Sequence, residues 1–243
     1  GQDGVPPLGA GQTFTLRADQ AYWSDGAGSR WIHDDGNGAN VVIKGLTALN
    51  SEAVSDNVQV TGSVTADIET DTDLTSVSGG WGRGPFTDFA VAADTTLTLT
   101  DSQVDGVNVE GYGSGVGTLK ITDLGASTDL SHLSYDLTVV AEFTTGAADL
   151  TQASDAELGH VSSYVVDDGA TLTLDAHQAN NAAISGLGTV VVTGTQTESG
   201  LWLGGITTSL DISQANLLID GSTVLPGDTG QDGVPPLGAG QTF

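Results

Sequence analysis

The chain has 243 residues, 38% of them apolar, with 31 Asp and Glu against 5 Lys and Arg, for a formal net charge of −26. That apolar share suffices for a core and argues against wholesale disorder, while so acidic a surface repels nucleic acid and anionic membranes. Cys and Met are both missing, which excludes disulfides and thiolate metal sites and fits an internal fragment without an initiator residue.

The first stretch, GQDGVPPLGAGQTF at Gly1–Phe14, recurs letter for letter at Gly230–Phe243. The two copies predict a window on a tandem array in which position 1 comes round again at position 230. Pro6 and Pro7, with their counterparts Pro235 and Pro236, fix an extended segment between glycines. Residues 1–12 are therefore expected to be a junction between repeats, and 230–243 the start of the next one.

A weaker period lies inside the first. The words TFTLRADQA (13–21), TLTLTDSQV (96–104) and TLTLDAHQA (171–179) share Thr-apolar-Thr-Leu, a three-letter gap, then Gln. The glutamines are Gln20, Gln103 and Gln178, at nearly even intervals. They divide the period into sub-repeats over 13–93, 94–168 and 169–229. Thr-Leu-Thr-Leu alternates at period two, as a strand with one buried face does. Further β-branched strands are expected at Val41–Lys44, Val58–Thr61, Ala66–Thr70, Phe89–Ala92, Leu119–Thr122, Leu137–Ala141, Tyr164–Val166, Val190–Thr193, Ile206–Ile212 and Leu217–Ile219. Turn pairs such as Asp25-Gly26, Gly79-Gly80 and Asp168-Gly169 separate them, and short helical pieces are expected at Ser154–Leu158 and Ala176–Ala183.

The class is all-β, and two architectures fit. One is a parallel β-solenoid with about 18 to 27 residues per turn. Leu172, Val190 and Leu210 open successive strands at steps within that range, as do Leu97, Leu119 and Leu137, which favours it. Gln20, Gln103 and Gln178 would then lie on equivalent edges, their amides satisfying backbone groups at the bends. The alternative is a string of small β-sandwich domains, one per sub-repeat, with Asp168-Gly169 as a hairpin turn.

Residues 169–194 (GATLTLDAHQANNAAISGLGTVVVTG) and 94–106 (DTTLTLTDSQVDG) resemble the Thr- and Gly-rich β repeats of very large bacterial surface and adhesin-like proteins. The chain departs from the calcium-binding RTX nonapeptide type, having no Gly-Gly-x-Gly-x-Asp run. The resemblance implies an extracellular or cell-surface, prokaryotic protein with a structural or adhesive role and no catalytic residues.

Three chemistries are weighed against this. Calcium needs six to eight oxygen ligands, and Asp34, Asp35, Asp71 and Asp73 cluster carboxylates in turn-like contexts, although turns attract solvated Asp in any case. Trp23, Trp31 and Trp81, with Arg30 and Arg83, crowd into the first sub-repeat. They suit a contact between copies of the chain, or less well a carbohydrate platform, with ordinary core packing as the plain alternative. The four histidines, His33, His132, His160 and His177, show no metal-ligand spacing, and no nucleophile elbow occurs. The reading is a non-enzymatic repeat of a self-assembling extracellular filament, with no resident cofactor and copies of itself as partner. A stalk repeat of a giant adhesin and a β-helical polysaccharide-active protein are the alternatives.

Overall fold

Period-two alternation sends every second side chain to one face of a strand. In the computed structural model of the chain those faces line the inside of stacked coils. The structure describes residues 8–21, 32–34, 36–49, 51, 54, 58–77, 86–197, 199–217 and 223–226. They belong to two compact units, Gly1–Lys120 with Leu130–Thr138, and Ile121–Asp129 with Val139–Phe243.

In the first unit, β1 (Thr13–Arg17), β3 (Asn40–Lys44), β5 (Val64–Ile68), β7 (Asp88–Ala92) and β9 (Asn108–Tyr112) form one parallel sheet in that order. β2 (Ile32–His33) pairs in parallel with β4 (Val58–Gln59), and β6 (Thr72–Asp73) with β8 (Thr96–Thr100). β10 (Gly117–Thr122) lies beside β8. Two one-turn helices, α1 (Ala18–Ala21) and α2 (Asp101–Val104), follow β1 and β8 directly.

The second unit repeats the plan. β11 (Leu137–Phe143), β13 (Ser163–Val166) and β15 (Ile184–Gly186) make one parallel ladder. β12 (Gly146–Asp149), β14 (Ala170–Asp175), β16 (Thr189–Gln196) and β17 (Ser209–Leu217) make another. One-turn helices α3 (Asp155–Leu158) and α4 (Ala176–Ala179) turn the corners after β12 and β14.

Neighbouring strands are one coil apart in the chain. Thr13 pairs with Asn40, an offset of 27 (40 minus 13); Gly146 pairs with Ala170, an offset of 24 (170 minus 146); and Thr171 pairs with Thr189, an offset of 18 (189 minus 171). These registers match the expected solenoid turn, and Leu172, Val190 and Leu210 are direct Cα partners as their spacing suggested. The sandwich alternative fails. β7, in the first sub-repeat, pairs with β9, in the second, and β12 pairs with β14 across the next boundary, so the sub-repeats are not separate beads. Asp168-Gly169 is no hairpin either: it turns the chain from β13 into β14, which stand in different sheets. Gly169 makes that corner at φ +82°, where a side chain is strained.

The core is a set of stacks running from coil to coil. In the first unit Leu16, Ile43, Ala66, Phe89 and Val109 are successive register partners, continued by a bridge from Val109 to Leu133, and all are buried. In the second, Leu172–Val190–Leu210 and Leu174–Val192 do the same. Burying one such leucine is worth about 1.5–3 kcal/mol. Packing and ladder hydrogen bonds carry the stability that disulfides supply in many Cys-rich chains.

Candidate functional site

Coils must turn, and at each turn the ladder loses hydrogen bonds that a buried backbone cannot forgo. The recurrent glutamine supplies them. Thr100 N–H donates to Gln103 Oε1 at 2.8 Å, and Gln103 Nε2 donates to Leu74 O, one coil earlier, at 2.8 Å. The corner at α4 is built alike: Asp175 N–H donates to Gln178 Oε1 at 2.9 Å, and Gln178 Nε2 to Leu150 O at 2.8 Å and Ala153 O at 3.2 Å. The carboxamide thus stands in for a peptide group where the strand stops. Gln178 N–H also donates back to Asp175 Oδ1 at 2.8 Å, closing a capping box. The edge role expected for the glutamines holds at both corners.

The acceptor side has its own motif, which was not anticipated from the sequence. Asp73-Leu74-Thr75 and Asp149-Leu150-Thr151 are built identically. Each Asp Oδ1 accepts from the N–H of the Thr that follows the Leu, at 2.9 and 3.0 Å, and from its hydroxyl, at 2.7 Å in both. The signal was present as an Asp-Leu-Thr whose Leu lies 29 residues before Gln103 in one case and 28 residues before Gln178 in the other. Asp211-Ile212-Ser213 repeats the local turn, with Ser213 N–H donating to Asp211 Oδ1 at 2.9 Å. These contacts hold the carboxyls of Asp149 and Asp211 below the ordinary range.

Asp34 is the most heavily used carboxylate among the described residues. It is 2% exposed and accepts from the N–H groups of Gly36 (3.0 Å), Gly38 (2.9 Å), Ala39 (3.0 Å) and Thr61 (2.9 Å), and from the Thr61 hydroxyl (2.8 Å). Led by the Thr61 N–H, these donors outweigh the desolvation that opposes them and hold its carboxyl far below the usual range. A carboxylate so committed fastens its own turn, through Ala39, to the next coil at Thr61. Of the other calcium candidates, Asp71 accepts from Thr96 N–H at 2.8 Å, Asp73 is the turn residue above, and Asp35 lies outside the described residues. Among the described residues no group of three or more His, Cys, Asp or Glu is placed to hold a metal ion.

Two surface features remain. On the outward row of the first sheet, Arg17, Lys44, Asp67, Ala90 and Glu110 are register partners in turn. Lys44 Nζ reaches Glu69 at 2.8 Å and Asp67 at 3.4 Å, and these contacts, Glu69 first, raise its pKa. Beside this row runs an open groove of about 500 Å³ lined by Thr65, Asp88, Asn108, Glu110, His132 and Ser134 among others. Asp88 is engaged on both oxygens, by Asn108 Nδ2 at 2.7 Å and by the Thr87 hydroxyl. The groove lining includes no Trp, Tyr or Phe.

No protein-family model, curated protein or solved structure matches the chain. Its chemistry therefore rests on its own residues.

Trp23, Trp31, Trp81, Arg30 and Arg83, expected to form a contact between copies, lie outside the described residues, as do Pro6, Pro7, Pro235 and Pro236. Of the described histidines, His132 lines the groove of the first unit, and His177 Nδ1 sits 3.7 Å from Asp155 within the second. No described helix is long and apolar enough to cross a membrane.

Proposed function

We propose that the chain is a structural repeat of a self-assembling extracellular filament. The observation that carries this reading is the identity of Gly1–Phe14 with Gly230–Phe243, one period apart, in a chain folded as a solenoid. A solenoid grows by adding coils, each contacting only its neighbours, so copies in tandem extend it without a new kind of interface. The role of the protein is then mechanical. Backbone pairing runs along the axis, corner glutamines and buried leucine stacks resist its opening, and the acidic surface keeps a long polymer soluble by self-repulsion.

The groove beside Asp88, Glu110 and His132 favours one other reading, a polysaccharide-active protein. The engagement of Asp88 by Thr87 and Asn108 weighs against a free catalytic carboxylate there.

Intact mass and electron microscopy of the protein isolated from its source test the proposal. A mass of many multiples of one repeat, with filaments of constant axial period, is the expected outcome. A single-copy mass without filaments sinks it, and turnover of an acidic polysaccharide promotes the second reading.

A further inference from the structure

A complete glutamine corner joins two coils, and Gln20 has only half of one. Arg17 N–H donates to Gln20 Oε1 at 2.9 Å, as Thr100 and Asp175 do at Gln103 and Gln178. Among the described residues nothing accepts from Gln20 Nε2, and Gln20 is exposed where Gln103 is buried. The strand leading into it is also half paired. β1 meets β3 along one edge and is the outermost described strand of its sheet.

We infer that the missing partner is the preceding copy of this chain, and that β1 with Gln20 is the surface on which one repeat stacks upon the last coil of another. This rests on the tandem reading proposed above and adds to it the surface and the residue. Chain arithmetic supports it. Val224 belongs to the last coil described: it bridges Trp202 in parallel, donates to Leu201 O at 2.9 Å and accepts from Leu203 N–H at 2.7 Å. The shortest and longest coil offsets given above, 18 and 27, place the next coil between positions 242 (224 plus 18) and 251 (224 plus 27). Subtracting the period of 229 (230 minus 1) maps these onto 13 to 22, the stretch that holds β1 and α1. Thr242-Phe243 already repeat Thr13-Phe14, which open that strand.

The complete corners define the bonds. In each, the acceptor residue gives its own N–H to the carbonyl five positions before the glutamine, Leu74 to Thr98 at 3.0 Å and Leu150 to Thr173 at 2.9 Å. By the same geometry, one residue of the preceding copy donates its N–H to Thr15 O and accepts from Gln20 Nε2. The stacking also extends the buried Leu16–Ile43–Ala66 column by one layer and covers an open strand edge, which otherwise invites unspecific pairing.

The test is a protein of two complete tandem copies, read by hydrogen exchange resolved to each copy. The β1 amides not bonded to β3 are expected to exchange at least about tenfold more slowly in the second copy than in the first. Gln20→Glu keeps the acceptor for Arg17 N–H and removes the donor. Placed in the second copy it should restore most of that exchange and lower the unfolding midpoint; in the first copy it should change neither. Equal exchange of β1 in both copies, or equal effects of the substitution, overturns the inference. Mass of the natural protein fails separately: an array of many copies without this asymmetry refutes the stacking and leaves the array, and a single-copy mass refutes the array and leaves the asymmetry.

Discussion

Gln103 Nε2 lies 2.8 Å from the carbonyl oxygen of Leu74, 29 residues earlier in the chain. The same side chain satisfies Thr100 N–H through its other atom, so one carboxamide serves a donor and an acceptor on two coils. Gln103→Leu leaves Thr100 N–H unmet and Leu74 O with the Val77 N–H at 3.0 Å in place of two donors, and should lower stability by about 2 kcal/mol in urea unfolding. Gln103→Glu should be as damaging at neutral pH and partly recover in acid. Burial raises its carboxyl pKa, so its contribution is present below about pH 4 and lost as pH rises through the folded value. A variant as stable as the parent at pH 7 would remove the glutamine from its corner role.

The Asp34 carboxyl titrates lower folded than unfolded, so its five donors stabilise the fold fully above the ordinary carboxylate pKa of about 4 and progressively less below it. Asp136, Asp149 and Asp211 are lowered too and act in the same direction. Urea midpoints should therefore fall as pH drops from about 5 toward about 2. Asp34→Asn should be less stable at pH 7 and show a shallower fall; an unchanged slope would mean that other carboxyls set it.

Much of this architecture is legible in the residues. Thr171-Leu172-Thr173-Leu174 announces a half-buried strand by its alternation, and the step from Leu172 to Val190 announces the coil. The glutamines announce an edge because an amide repeating after each Thr-Leu strand has no use in an apolar interior. Asp34 is illegible for a physical reason: its partner Thr61 is 27 residues away, and no local pattern distinguishes a carboxylate that gathers donors from one that sits in water. The turn role of Asp73 is hidden likewise, since an Asp that caps its own turn looks from sequence like one that waits for an ion.

Two glycines should respond differently to alanine. At Gly186, φ is +123° and an added Cβ would stand 2.0 Å from Val166 O, so β13 and β15 would have to part. At Gly106, φ is +67° with no atom within 4 Å of an added Cβ, leaving only backbone strain of about 1 kcal/mol. Gly186→Ala should cost at least about 2 kcal/mol more than Gly106→Ala in thermal or urea unfolding. Equal effects would place β13 and β15 further apart than described.

Leu172 is fully buried within a three-coil stack, whereas Leu187 is 82% exposed. Leu172→Ala should cost about 2–5 kcal/mol and Leu187→Ala no more than about 0.5 kcal/mol. The contrast is a check on which face of β14 is inside, because a register slip by a single position would turn Leu172 outward and make its truncation as mild as that of Leu187.

The registers have a consequence for stretching. Within either unit the strand-to-strand hydrogen bonds point from one coil to the next, so a pull in that direction loads them end-on, coil after coil. A coil that tears away frees the whole stretch between two register partners, as short as Thr171 to Thr189 and as long as Thr13 to Asn40. At about 3.3–3.6 Å per extended residue, each rupture releases roughly 60 to 95 Å of slack. Under tension such a chain yields in discrete, unequal steps whose sizes reproduce the order of its coils.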